Sequence, residues 1–143
     1  HIADLIASHV PDNSSLFMSI GTTIEAVAMA LTRSHSNLHI ITNNIHVASI
    51  VSSRKDYTVI ITSGVVRPVD GGVTGVATVD FINQFKVDYA ILSAAGLESD
   101  GSLLDFASNY RLPKLASHFY LLLFFTIDMT LLRVSITNIG QVL

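Results

Sequence analysis

Hydrophobic positions change period several times along this chain, and each change marks an element. Ile2, Leu5 and Ile6 stand at helical spacing until Val10-Pro11-Asp12-Asn13 breaks the pattern. The apolar residues Leu16, Phe17 and Met18 open a strand over Leu16–Ile20. Ile24, Val27, Ala28 and Leu31 then repeat at helical period and predict a helix over Thr22–Thr32. Leu38–Thr42 reads as a second strand, and Asn43 or Asn44 caps a helix through Ser52 with Val47, Ile50 and Val51 on one face. Tyr57–Thr62, rich in β-branched residues, predicts a third strand. The glycine-rich passage from Ser63 to Gly75 predicts a hairpin or loop with a turn at Asp70-Gly71. A helix over Ala77–Phe85, a strand over Val87–Ala94 and a loop over Gly96–Gly101 come next. The remainder predicts a helix over Pro113–His118, a fully buried strand over Phe119–Ile127 and a short strand over Val134–Thr137.

Strands alternating with helices imply βαβ units, so the expected fold is α/β: a mostly parallel, Rossmann-like sheet flanked by helices. Ligands of such sheets bind beyond the C-terminal strand ends. The loops Gly21-Thr22-Thr23, Thr42-Asn43-Asn44 and Ser93 to Gly96 all follow strand ends and are expected to face one crevice. The first is the most informative. A strand that turns through Gly-Thr-Thr into a helix leaves backbone N–H groups at the helix start, ready for a phosphate or carboxylate. A competing local solution is a Thr-x-x-Glu capping box formed by Thr22 and Glu25, which would satisfy those groups internally. Asn43 is open to two roles, helix cap or partner of a ligand hydroxyl.

Composition narrows the classes. Half of the 143 residues are apolar and 13% are charged, too apolar for a disordered chain. So apolar a chain of this size is expected to bury an interface as a homo-oligomer. The apolar run at Phe119–Ile127 is less than half the roughly 20 residues that a membrane helix needs. No secretory signal is visible at the start. The absence of cysteine excludes disulfides and thiolate metal sites and fits a cytoplasmic protein. Net charge is −3 and the basic residues are scattered, so this chain alone is not expected to grip nucleic acid. No G-x-G-x-x-G or P-loop pattern occurs, and the histidines show no zinc spacing, so neither a cofactor nor a metal is expected. Asp80, Asp88, Glu98, Asp100 and Asp105 gather around the fourth strand, where an acid–base enzyme could use a pair and a plain turn would simply solvate them.

Several stretches together resemble the effector-binding domain of the DeoR family of bacterial repressors. They are Ser14 to Ala28 around Ser19-Ile20-Gly21-Thr22-Thr23-Ile24-Glu25, then Ile41-Thr42-Asn43-Asn44, then Arg67 with Asp70-Gly71-Gly72 and Gly75. Asp80-Phe81-Ile82-Asn83-Gln84-Phe85 and Gly96 with Ser99 to Phe106 follow. The resemblance runs in order from residue 1 to about residue 106. It implies a domain similar in fold to ribose-5-phosphate isomerase that binds a phosphorylated sugar or polyol, such as glycerol 3-phosphate. It also implies that ligand binding changes an oligomer's grip on operator DNA, through an upstream helix-turn-helix domain that this chain does not contain. On that reading residues 1–143 are one sensing domain, with residues 1–10 the end of a connecting segment. The chain departs from the family pattern at Ser19, where Asp is usual, at Tyr110, near which Glu is usual, and at Asp128-Met129-Thr130-Leu131-Leu132, where a lysine is missing.

The expected site follows. Gly21, Thr22 and Thr23 would hold the phosphate through backbone N–H groups and hydroxyls, and Asn43 would read a ligand hydroxyl. Gly64 and Gly96 would allow close backbone approach, and Lys114 would supply the counter-charge. One rival is an isomerase-like enzyme, whose acidic Asp-Gly-Ala-Asp-Glu stretch is replaced here by Ser93-Ala94-Ala95-Gly96, leaving no base at that strand end. Another is an oligomerisation module that has lost ligand binding.

Overall fold

The computed structural model describes residues 2–94, 96–97, 103–104, 119–125 and 131–136, with side-chain burial described for residues 2–92. Helix α1 (Ile2–Ser8) precedes strand β1 (Ser15–Met18), helix α2 (Thr22–Ser34), strand β2 (His39–Thr42), helix α3 (Ile45–Val51) and strand β3 (Thr58–Ile61). A hairpin of β4 (Val65–Val66) and β5 (Val73–Thr74) leads to helix α4 (Val76–Ile82) and strand β6 (Tyr89–Ala94). Further strands are β7 (Gly96–Leu97), β8 (Leu103–Leu104), β9 (Phe119–Phe125) and β10 (Leu131–Ile136). Six of them form one sheet in the order β10-β9-β6-β1-β2-β3. All its pairings are parallel except β9 with β10. The α/β expectation is therefore met, with one antiparallel edge.

The strand register explains the burial pattern. Leu16 and Met18 on β1 join Ile40, Tyr89 and Ile91 in one core with Ile24, Val27, Ala28 and Leu31 of α2. Period-2 alternation sends Phe17, Ile41, Ala90 and Leu92 to the other face, where they are also buried. A strand covered on both faces reads as a continuous apolar run, which is why β1 shows no polar alternation. Helix α1 belongs to this core too, because Ile6 is fully buried and α1 packs on α2. Its ion pair from Asp4 to Arg33 is more than half exposed on both sides, so it adds little.

Three readings of the sequence change. The loop expected over Gly96–Gly101 begins instead with β7, whose Gly96 pairs with Leu104 of β8. The short last strand is longer and lies antiparallel beside β9. The Thr22–Glu25 capping box does not form. Thr22 is already the first helical residue, Gly21 holds the N-cap position, and no side chain caps α2. The helix expected over Pro113–His118 lies outside the described residues.

The junction between α2 and β3 is tied by polar contacts. Tyr57 donates its hydroxyl to Leu31 O at 2.8 Å, and Arg54 Nη1 donates to Thr32 O at 2.6 Å, so both engage carbonyls of the last turns of α2. Arg54 also pairs with Asp56 at 2.8 Å. That hydrogen bond, helped by the Asn37 N–H, pulls the Asp56 carboxyl down to about 2. A carboxyl depressed in the folded state stabilises above its ordinary value and loses that contribution as pH falls through the folded value. Thermal unfolding should therefore show an acid-side loss between about pH 4 and pH 2 that Asp56→Asn reduces. An unchanged acid limb in the variant would remove Asp56 from that account.

Candidate functional site

The described loops at the C-terminal ends of β1, β2 and β3 lie next to one another because those strands are neighbours in the sheet. After β1 the chain runs to β2 and β3 on one side, while β6 lies on the other side of β1. The space between the ends of β1 and β6 is thus the switch point of this doubly wound sheet, where ligands of such folds enter.

The β1–α2 loop is built around Gly21. Its φ of 139° and ψ of 149° belong to a region that essentially only glycine occupies. The first bond of α2 runs from Glu25 N–H to Gly21 O at 3.1 Å. Among the described residues no acceptor meets the N–H groups of Gly21, Thr22, Thr23 or Ile24. Thr22 is exposed and Thr23 half-buried, so this end of the helix is open to solvent. A helix of 13 residues carries the full partial positive charge of its dipole at that point.

Asn44 joins this helix start to the next. Its Oδ1 caps α3 by accepting from His46 N at 2.9 Å and Val47 N at 3.4 Å. Its Nδ2 donates to Glu25 Oε1 at 3.2 Å. Its own N–H donates to Thr42 Oγ1 at 3.0 Å, and that hydroxyl donates to Met18 O at 2.7 Å. Glu25 therefore braces α2 against α3 instead of capping α2. Asn44→Ala removes the cap and leaves Glu25 without this donor, and should cost about 1–2 kcal/mol. Urea unfolding checks this, and a midpoint equal to wild type would show that the network contributes nothing.

The β4–β5 hairpin closes over the same strand ends. Val73 N–H donates to Asn43 O at 2.6 Å, and Ile45 N–H donates to Gly71 O at 3.0 Å. Gly72 bridges to Asn44 and lies so close to Ile20 that a Cβ there would stand 2.5 Å from Ile20 Cδ1. The turn is held by Arg67, whose Nε donates to Asp70 Oδ1 at 2.9 Å and whose Nη2 donates to Oδ2. Asp70 also accepts from Gly72 N–H at 3.0 Å. The Arg67 guanidinium holds the Asp70 carboxyl below the ordinary carboxylate range.

Of the residues singled out by sequence, Gly21, Thr22, Thr23 and Asn43 fall in this group of loops. Asn43 is 1% exposed, and its Nδ2 reaches only Val73 O at 3.5 Å. Gly64 follows β3, and the protein's own atoms crowd it: a Cβ there would meet the Thr78 side-chain Oγ1 at 2.1 Å and the Thr74 backbone O at 2.7 Å. Gly96 lies on β7, just past the end of β6. Lys114 lies outside the described residues, as do Glu98, Asp100 and Asp105. Asp88 is at the opposite end of the sheet, where it accepts from Ser15 N at 2.9 Å and Ser15 Oγ at 3.0 Å, and Asp80 is exposed. These two are not brought to the strand ends where a ligand would sit.

Glu25's bond to Asn44 and the burial of Thr62 were missed by sequence reasoning. No sequence signal marked Thr62, because the pairing of Thr42 with Ile61 that sets it beside Asn43 is established only in the folded sheet. Among the described residues no group of His, Asp and Glu could hold a metal ion, and no helix is long and apolar enough to cross a membrane.

The sequence profile of the DeoR C-terminal sensor domain matches residues 1–115. The chain is 50% identical over 105 residues to the glycerol-3-phosphate regulon repressor of Escherichia coli (strain K12), covering 73% of this chain and 41% of that protein. It is 39% identical over 108 residues to the HTH-type transcriptional repressor CsqR of the same organism, covering 76% of this chain and 41% of that protein. The chain thus spans about two fifths of the length of these relatives. Among solved structures it is similar in fold to ribose 5 phosphate isomerase A from Neisseria gonorrhoeae, with a TM-score of 0.59 at 14% identity over 90% of this chain and 50% of that chain.

Proposed function

This chain belongs to the DeoR C-terminal sensor domain family, and we propose that it is the effector-binding part of a bacterial transcriptional repressor. Its effector is glycerol 3-phosphate or a sugar phosphate, and operator DNA is contacted by a helix-turn-helix domain elsewhere in the full protein. The observation that carries this reading is the open start of α2 at Gly21, Thr22 and Thr23, set at the switch point of the sheet. A phosphate there accepts from several N–H groups and gains from the helix dipole. The hydroxyls of Thr22 and Thr23 add bonds, Asn43 reads a ligand hydroxyl, and Gly64 and Gly96 shape the walls. Lys114 is the cation we assign to the phosphate. For such binding to regulate, the ligand must favour one arrangement of the domain over another.

Calorimetric titration with glycerol 3-phosphate and a panel of sugar phosphates tests the reading. Thr22→Val combined with Thr23→Val should weaken the tightest ligand about 3- to 10-fold, the loss expected for hydroxyl hydrogen bonds to an anion that keeps its backbone donors. Affinity unchanged by the double substitution would remove this loop from the site. The chain is not read as an enzyme, because Ser93-Ala94-Ala95-Gly96 brings no carboxylate to the end of β6. Measurable aldose–ketose interconversion would reverse that.

The same reading includes a cytoplasmic homo-oligomer. Val65, Val66, Val69 and Val76 are exposed on and beside the hairpin, and Ile61 is exposed on edge strand β3. Apolar surface of this kind is usually covered in the working assembly. Sedimentation at micromolar concentration should give more than a monomer's mass.

A further inference from the structure

Asn43 Oδ1 and Thr62 Oγ1 are buried and have no hydrogen-bond partner among the described residues. Asn43 is 1% exposed and Thr62 is 6% exposed. A buried oxygen left unpaired costs about 1–3 kcal/mol, so two of them together call for a partner. They are also neighbours. Thr62 N–H donates to Thr42 O at 3.0 Å, which continues the parallel register of β2 and β3 by one step and sets Thr62 beside Asn43. Neighbouring strands are about 4.8 Å apart, a spacing that one oxygen at about 2.8 Å from each partner can bridge. The chemistry is complementary to a hydroxyl. Asn43 Nδ2 is directed to Val73 O, which leaves Oδ1 as an acceptor, while the Thr62 hydroxyl both donates and accepts.

We propose that Asn43 and Thr62 together form a hydroxyl-reading subsite that selects a phosphorylated polyol or sugar over a bare alkyl phosphate. The proposal rests on the sensor reading above and adds Thr62 as a specificity-determining residue. Its position fits that role. β2 lies directly beside β1, so Asn43 stands one strand spacing from the chain that leaves β1 for Gly21. A phosphate held at the start of α2 would bring its hydroxyl-bearing carbons toward Asn43 on the adjacent strand, with Thr62 one further strand spacing along the sheet. An alkyl chain in the same place would leave both oxygens unpaired, and that penalty is the source of discrimination.

The test compares glycerol 3-phosphate with propyl phosphate, which lacks both hydroxyls, on the wild-type chain and on Thr62→Val. Wild type should bind glycerol 3-phosphate at least about 10-fold more tightly than propyl phosphate. Thr62→Val should lose about 3- to 10-fold toward glycerol 3-phosphate, keep its affinity for propyl phosphate, and melt at or above the wild-type temperature because an unpaired hydroxyl has been removed. Equal losses toward both ligands, or none toward either, overturn the subsite while leaving the sensor reading intact; the hydroxyl would then serve an internal water only. A wild-type chain that binds glycerol 3-phosphate and propyl phosphate equally also overturns the subsite alone. A wild-type chain that binds neither compound, and none of the sugar phosphates of the panel, overturns both readings.

Discussion

Gly21→Ala should weaken binding of glycerol 3-phosphate by roughly 10- to 100-fold, the largest functional effect expected of any single substitution in this chain. At φ 139° and ψ 149° the backbone of Gly21 lies where a Cβ is not tolerated. Holding alanine there costs on the order of 1–3 kcal/mol. The loop can escape that cost only by rotating its peptide planes, and those planes carry the N–H groups that a phosphate needs. A hydrogen-bond donor turned away from its anion loses its electrostatic advantage steeply with angle. The loss should therefore appear mainly in affinity, with a smaller fall in thermal stability, because α2 still begins on Thr22 and its buried face is untouched. Titration of the variant alongside Thr22→Val with Thr23→Val separates backbone from hydroxyl contributions. If Gly21→Ala bound as well as wild type, the phosphate would have to sit elsewhere.

Gly64→Ala should produce the largest loss of stability from a small change on the surface, about 3 kcal/mol, or on the order of a 10 °C fall in midpoint. Exposure gives no warning of this, since Gly64 is a solvent-exposed residue. Geometry does. Its φ is +142°, and an added methyl would stand 2.1 Å from Thr78 Oγ1 and 2.7 Å from Thr74 O. The threonine hydroxyl is itself committed, donating to Ser63 O at 2.6 Å, and Thr74 O is backbone. Neither retreats without moving β5 or the start of α4. The double variant Gly64→Ala with Thr78→Ala should recover only part of the loss, because the clash with Thr74 O persists. A midpoint for Gly64→Ala within 1 or 2 °C of wild type, on the scale of a tolerated surface change, would show that the hairpin does not hold this geometry.

Both predictions concern glycines, yet the sequence treats them differently. Gly21 was legible as a site residue because it lies between an apolar strand run and a helix-period run, so its loop had to be the bend between them. Gly64 reads from the sequence as a second wall of the ligand site, and the folded hairpin adds that Thr74 and Thr78 crowd the side where a Cβ would stand. Asn44 shows the same limit. Its type and place predicted a cap, and it is one, but its second bond, to Glu25, crosses 19 residues of chain. That bond is also what takes Glu25 away from the capping box that its spacing from Thr22 suggested.

The chain's own order of residues determined the α/β class, the parallel alternation, the core positions of α2 and the strand-to-helix bend at Gly21. Each of these is a local property: hydrophobic period follows from backbone geometry, and a glycine between two periods marks a turn whatever lies around it. Tertiary structure alone decided that α2 begins one residue earlier than a capping box requires, that the hairpin turn lies against the ends of β1 and β2, and that Asn43 and Thr62, each with an unpaired oxygen, take adjacent register positions. Those facts depend on which strands are neighbours and in what register. Contacts such as Asn43 with Val73, 30 residues apart, are set when the sheet assembles.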